Sequence, residues 1–237
     1  MKRKSWMIPL VILVLLLGAF FIYTGIYYHA EPSAQKALES GGTVTVTQTE
    51  CGWLFDGPSE RDALIFYPGA KVEETSYAPM LRTLAEKGID VFLVRMPFRL
   101  AIFGKNLAGG IRSSYPYDRW FIGGHSLGGA MAADYAAEHD DFDGTVLFAA
   151  YPTKQLPKDD LEIVIYGSED GVLNMEKLEK GRAYAPVRVR ELRIEGGNHA
   201  QFGNYGIQSG DGEARISAQR QQEETAEFIS AVISENR

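Results

Sequence analysis

The stretch RWFIGGHSLGGAMAADYAAEH, residues 119–139, decides the fold. Its first half, RWFIGG, is a short apolar run that reads as a buried strand. Its second half, LGGAMAADYAAEH, is rich in alanine and reads as a helix. Between them stands Ser126, flanked by Gly124 and Gly128 as G-x-S-x-G. A chain with 25 glycines in 237 residues meets that pattern by chance too often for the pattern to count alone. Its setting gives it weight. A strand, a sharp turn and a helix would hold the serine in a strained backbone at a helix N-terminus, where N–H groups can receive a developing negative charge.

The same alternation extends in both directions. TVTVTQT (43–49) is β-branched at period two, and CGWLFDG follows as its hairpin partner. ALIFYPG (63–69), IDVFLVR (89–95), GTVLFAA (144–150), EIVIYG (162–167) and VRVRELRI (187–194) read as further strands. Helices are expected over 77–88, with Met80, Leu81, Leu84 and Ala85 on one face, over 174–182, and over 216–234, with Phe228, Ile229, Val232 and Ile233 packing inward. The expected class is α/β: a doubly wound, mostly parallel sheet with helices on both faces. Ligands of such sheets bind beyond the carboxyl ends of the strands.

A serine hydroxyl needs a base. Of the four histidines, His29 adjoins the N-terminal apolar run, His125 neighbours the serine and points elsewhere, and His139 lies more than three turns away. His199, in the glycine-rich loop IEGGNHAQFG after the last strand, is the candidate base. Asp170, just past the penultimate strand in YGSEDGV, is the candidate acid that would orient it; its other reading is a cap for the following helix. Asp159 and Asp160 precede that strand, at its wrong end. The N–H groups of Leu127 and of Ala70, or else Lys71, in YPGAKVE are the candidate oxyanion donors. The single cysteine, Cys51, excludes an intrachain disulfide framework and any Cys-rich metal site, and no H-x-x-x-H or H-E-x-x-H spacing occurs, so no metal is expected.

YPGAKVE, GHSLGG, YGSEDGV and GGNHAQFG, each at a matching strand end, resemble the α/β-hydrolase superfamily over residues 43–234, and within it the α/β-hydrolase fold-5 family, similar to dienelactone hydrolases. That resemblance implies a serine–acid–histidine order, Ser126, Asp170, His199, and cofactor-free hydrolysis of an ester, thioester or similar acyl bond. Dienelactone hydrolases carry cysteine where this chain has Ser126, which counts against a dienelactone substrate. Acyl transfer to another acceptor, or a non-catalytic binding module on the same fold, remain alternatives.

Only about a dozen residues, YPTKQLPKDDL, separate the strand ending near Ala150 from the next. They leave no room for a cap domain, so an open cleft is expected, lined by Phe98, Leu100 and Phe103, with Tyr151 and Phe202. The loop FGNYGIQSGDGEAR after His199 either covers the site or links to the last helix.

The N-terminus carries the remaining information. Lys2, Arg3 and Lys4 precede an uncharged run from Ser5 to Tyr28 that is long enough to cross a membrane, with Tyr23, Tyr27 and Tyr28 at interfacial positions. Its bulky residues before Ala30 favour a retained anchor over a cleaved signal peptide. The expected organisation is therefore 1–28 anchor or signal peptide, 29–42 polar linker, and 43–237 hydrolase domain. The basic cluster would leave the domain on the extracytoplasmic side. A net charge of −7 argues against nucleic acid as a partner. An open cleft that faces the membrane suggests a small-molecule or lipid-like acyl substrate, such as lipid esters or cell-envelope acyl groups.

Overall fold

The computed structural model describes residues 7–59 and 61–236, so the basic cluster Lys2, Arg3 and Lys4 lies outside the described residues. The helices are α1 (Met7–Gly25), α2 (Pro32–Lys36), α3 (Ala78–Glu86), α4 (Leu107–Ser114), α5 (Leu127–Ala136), α6 (Met175–Gly181) and α7 (Ala218–Glu235). The strands are β1 (Thr45–Thr49), β2 (Gly52–Asp56), β3 (Asp62–Tyr67), β4 (Ile89–Val94), β5 (Arg119–His125), β6 (Gly144–Phe148), β7 (Leu161–Gly167) and β8 (Arg188–Ile194). They form one sheet in the order β1-β2-β4-β3-β5-β6-β7-β8. The β1–β2 and β2–β4 pairs are antiparallel, and β4 through β8 run parallel.

Burial on both faces explains why the central strands read as continuous apolar runs. Every residue of β3, β4, β6 and β7 is buried. Successive side chains of a strand point to opposite faces. Leu64 and Phe66 of β3 join the layer of α3 and α7, with Leu81, Leu84, Ile229 and Ile233. Ala63, Ile65 and Tyr67 join the layer of α4 and α5, with Ala108, Ile111, Ala132 and Ala133. The edge strand β8 carries Arg188, Arg190, Glu191 and Arg193 at half-buried or exposed positions, charges that discourage pairing with another chain.

Three details differ from the sequence reading. Helix α4, LAGGIRSS, is short and holds two adjacent glycines, so its periodic signal is weak, yet Ala108 and Ile111 bury it against the sheet. In α7 the buried face is Gln221, Gln222, Thr225, Ala226, Ile229, Val232 and Ile233; Phe228 packs only at its edge. Residues 29–42 are bound to the domain: Glu31 N–H donates to Asn204 O (2.8 Å), Ala34 is wholly buried, and Arg82 donates to the carbonyls of Ala37, Glu39 and Gly41. Between β6 and β7, residues 149–160 contain neither helix nor strand, and no cap domain stands there.

One strand residue is chemically out of place. Glu162, near the start of β7, is 2% exposed, and its Oε1 has no hydrogen-bond partner among the described residues. Burial pushes its carboxyl up to about 7, with Arg182 opposing and Glu191 adding. Between the ordinary carboxyl range and that value the folded chain holds more protons than the unfolded one. Stability therefore falls as pH rises through this window, and the loss is complete above it. Glu162→Gln is expected to raise stability at pH 8 by about 1–3 kcal/mol, since each pH unit between the folded and unfolded titrations is worth ~1.4 kcal/mol, and the gain vanishes toward pH 4. Thermal unfolding of both chains across that range checks it, and a gain independent of pH would contradict it.

Candidate active site

Strand β5 ends at His125, α5 begins at Leu127, and Ser126 alone makes the turn. Its backbone sits at φ 53°, ψ −122°, a region costly for a residue with a Cβ. Neighbouring bonds hold it there: Ser126 N–H donates to Phe148 O on β6 (2.9 Å), and Ser126 O accepts from Ala130 N–H (3.0 Å). The glycines make the turn possible. A Cβ on Gly128 would collide with the carbonyl oxygens of Tyr67 and Pro68, and one on Gly124 with that of Tyr67. The helix thus starts in direct contact with the end of β3. Leu127 N–H, the first of α5, has no acceptor among the described residues, as expected of a helix's first amides.

His199 and Asp170 meet at the same edge of the sheet. His199 Nδ1 lies 2.8 Å from Asp170 Oδ2, and both side chains are 1% exposed. Asp170 also serves its own turn: Oδ1 accepts from Val172 N–H (2.8 Å) and Leu173 N–H (2.7 Å). Its local capping role and its contact with the histidine coexist on two oxygens, while Asn174 caps α6. The adjacent Glu169 points elsewhere, toward Ser168 and Arg215. His199 Nε2 is buried and makes no hydrogen bond among the described residues, Ser126 Oγ included. Such contacts are often long before substrate binds.

Two further groups, neither visible as a motif, organise this edge. Asp211, from the loop after His199, accepts from four backbone amides: His199 (3.2 Å), Ala200 (2.8 Å), Gly171 (3.1 Å) and its neighbour Gly212 (2.9 Å). It fastens the histidine loop to the loop that carries Asp170. The glycine-rich segment after His199 is thus a structural tie as well as a connection to α7.

The second group is His125 with Tyr77. His125 points inward, its ring centroid 4.3 Å from that of His199, and its Nδ1 lies 2.8 Å from the Tyr77 hydroxyl. The same hydroxyl accepts from Gly69 N–H (3.1 Å), so Tyr77 can donate to Nδ1 at the same time; His125 Nε2 is buried with no hydrogen-bond partner among the described residues. Burial first, and the neighbouring His199 second, hold the His125 pKa well below its ordinary range, so the ring is uncharged. A Cβ on Gly69 would push into this pair, which accounts for glycine there.

The remaining sequence-predicted residues separate into three groups. Ala70 lies in the turn after β3, and its N–H has no acceptor among the described residues; Lys71 N–H is engaged by Arg99 O (2.9 Å). Phe98 and Phe103 are half exposed, on two single turns of 3-10 helix after β4, while Leu100 between them is buried. Phe202 is wholly buried, against His125 and Phe148, and so underlies the histidines; Tyr151 packs beside Val164, Tyr166, Leu173 and Leu178. Of the other histidines, His139 stacks on Tyr135 and His29 is exposed near Glu73.

The model of the alpha/beta hydrolase family matches residues 63–223. The chain belongs to that family. No curated protein matches it. Among solved structures it is similar to a predicted CIB-like hydrolase from Thermoplasma acidophilum, at 15% identity and TM-score 0.56, covering 79% of this chain and 99% of that one. Carboxyl esterase 2 of the fungus Tuber melanosporum is similar at 10% identity and TM-score 0.56, covering 85% and 91%. So is esterase 2 of Thermogutta terrifontis phosphoramylated by tabun, at 16% identity and TM-score 0.50, covering 82% and 96%. At these identities the likeness is one of fold.

Asp211→Ala frees four amides at once. Hydrogen exchange at His199, Ala200 and Gly171 is expected to accelerate by about tenfold or more, while amides of β3 and β6 stay protected. Asp211→Asn, which keeps an acceptor, is expected to show a smaller effect; equal protection in all three chains would contradict the tie.

Proposed function

We propose that this alpha/beta hydrolase cleaves ester or related acyl bonds through Ser126, His199 and Asp170. The observation that carries the proposal is the fully buried Asp170–His199 contact at the strand ends, beside a serine held at positive φ on the elbow. A strained backbone at a serine, next to a buried pair of titratable groups, is typical of sites.

The chemistry follows from the groups. His199, with Nδ1–H fixed by Asp170, presents Nε2 as base and takes the Ser126 hydroxyl proton as Oγ attacks the acyl carbonyl. Negative charge gathers on the carbonyl oxygen, and the unengaged amides of Leu127 and Ala70 are the donors available to it. His199 returns the proton to the leaving alcohol. Water, deprotonated by the same imidazole, then releases the acid and restores the serine. The uncharged His125 beneath the base adds no positive charge that would oppose formation of the His199 imidazolium. Phe98 and Phe103, half exposed on the loop after β4, would line the acyl side of the cleft.

We further propose that residues 1–28 are a retained membrane anchor and that 43–237 form the catalytic domain, outside the cytoplasm. Helix α1 is long and apolar enough to cross a membrane, at a mean hydropathy of 2.6. Retention is supported by the segment just after it: Tyr28 bridges Val72, with Tyr28 N–H to Lys71 O (2.8 Å) and Glu73 N–H to Tyr28 O (2.9 Å). Cleavage near Ala30 would strip that bridge from the turn that holds Ala70.

The test is turnover of p-nitrophenyl esters from acetate to palmitate by the full chain in detergent, with Ser126→Ala beside it. Wild-type turnover is expected to fall by about a thousandfold or more in the variant. Labelling by a fluorophosphonate is expected to vanish with it, a chemistry akin to that of the tabun-modified Thermogutta esterase. Unchanged turnover in a folded Ser126→Ala chain would refute the proposal.

A further inference from the structure

The last turns of α1 do not end in solvent. They rest on the loop that borders the candidate site. The Phe20 ring lies 5.1 Å from Phe98 and 5.9 Å from Phe103, Phe21 lies 6.2 Å from Phe98, and Phe98 lies 5.6 Å from Phe103, all centroid to centroid. Thr24, the one buried residue of α1, turns its hydroxyl back onto Phe20 O (3.0 Å) and presents no free polar group. Just beyond, Lys71 Nζ sits 4.2 Å over the Tyr23 ring and the Arg99 guanidinium 3.4 Å over that of Tyr27.

This contact fixes a depth. Phe20 precedes the end of α1 at Gly25 by five residues, about 7.5 Å along the axis at ~1.5 Å per residue. Phe98 and Phe103 touch Phe20 and so reach the same level, which matches the ~5–10 Å to which interfacial elements sink into a bilayer. Ile102, between them in sequence, is 52% exposed, beside Phe98 at 44% and Phe103 at 50%. Three large apolar side chains exposed together are unusual on a surface that faces only water. Here they continue the apolar surface of α1. The loop is also held under strain for this presentation, since Phe98 and Arg99 sit at φ 54° and 57°.

The charges agree. The chain carries net −7, yet the cations at this level are Lys71 and Arg99, stacked on the tyrosines where headgroup phosphates would lie. Of the acids nearby, Glu74 is paired with Arg95 (2.6 Å), and Glu73 accepts from Ala30 N–H and Thr75. The lip follows β4 and the Ala70 turn follows β3, and β3 lies directly beside β5, which delivers Ser126.

We propose that Phe98, Ile102 and Phe103 form a lip inserted in the bilayer, and that the substrate is a membrane lipid whose acyl ester passes from the headgroup boundary to Ser126. This rests on the Ser126 reading. The reaction would be lipid ester plus water to fatty acid plus the alcohol of the remaining lipid: Ser126 Oγ gains the acyl group as the ester C–O bond breaks, the alkoxide takes the proton from His199, and water then splits the acyl-enzyme. The three residues would keep the acyl chain in apolar surroundings on its way up, so the chain need never cross water.

The experiment uses the full chain in vesicles of phosphatidylcholine and phosphatidylglycerol. Fatty acid released from a vesicle-borne long-chain lipid ester is measured beside hydrolysis of p-nitrophenyl acetate added to the water phase. Ile102→Asp is expected to lower lipid hydrolysis about tenfold, because a carboxylate at that depth is costly, while acetate hydrolysis stays within about twofold. Lipid hydrolysis equal to wild type would overturn the lip. A readout independent of catalysis uses Ile102→Cys in a Cys51→Ser background, which removes the only native thiol, labelled with a polarity-sensitive fluorophore. Its emission is expected to shift blue in vesicles and to be quenched by lipids brominated on the acyl chain, whereas a label at Val187→Cys, 82% exposed, stays in water. A label at position 102 that reports water overturns the lip. If wild type turns over neither acetate nor lipid, the Ser126 reading fails, and the label still decides the lip.

Discussion

The structure depends on one close approach. For α5 to start in contact with the end of β3, no Cβ can stand at Gly124 or Gly128, and the residue between strand and helix must take a backbone conformation that an ordinary turn avoids. Those two requirements produce the elbow. They also fix the order in which β3, β5 and β6 present their ends, because Ser126 N–H is bonded to β6 through Phe148 O while α5 abuts β3. Once the serine is strained outward and two amides are left without acceptors, the other groups need only reach the same edge. The parallel sheet does that by topology, since every loop that follows a parallel strand emerges there.

Reaching the edge is not the same as being held there. Loops of this length would order poorly without ties, and each candidate residue has one. Asp170 is locked by its own turn, His199 by the amide clamp of Asp211, and the turn of Ala70 by Tyr77 through Gly69 N–H and by Tyr28 through the bridge to Val72. Of these ties, the bond from Gly69 N–H to the Tyr77 hydroxyl is buried, where water is excluded and a hydrogen bond is strongest. The His125–Tyr77 pair joins the elbow to the Ala70 turn, and its position under His199 makes it part of the floor on which the base rests.

The fold was legible in the sequence because its signals are local. Apolar runs of five to seven residues and a serine between glycines each announce themselves within a short window, and their alternation leaves few topologies. The positions of the elbow, of Asp170 and of His199 could be read for the same reason: each lies within a few residues of a strand's end. Asp211 was not, because a side chain that gathers amides from loops 40 residues away has no pattern of its own. Tyr77 was read only as the start of a helix, and Phe202 as a lining residue, although it is one of the largest wholly buried side chains. An aromatic residue beside a site looks the same in sequence whether it opens onto a cleft or supports its floor.

The segment joining α1 to the domain shows the same limit most clearly. Its polar composition reads as a spacer, and a spacer would let the domain tumble at a distance from the helix. Its backbone does the opposite. Tyr28 is paired with Val72, Glu31 with Asn204, and Ala34 is buried, so the few residues after α1 reach both the turn before Val72 and the loop after His199. A helix tied by so short a path cannot move independently of those loops. Whatever surrounds α1 therefore also sets the surroundings of the entrance. The Phe20 ring packs on Phe98 and Phe103, so the helix also meets the loop that holds the positive-φ residues Phe98 and Arg99. Helix α1 is thus tied through Tyr28 and Glu31 to the turn before Val72 and to the loop after His199, and the three move as one unit.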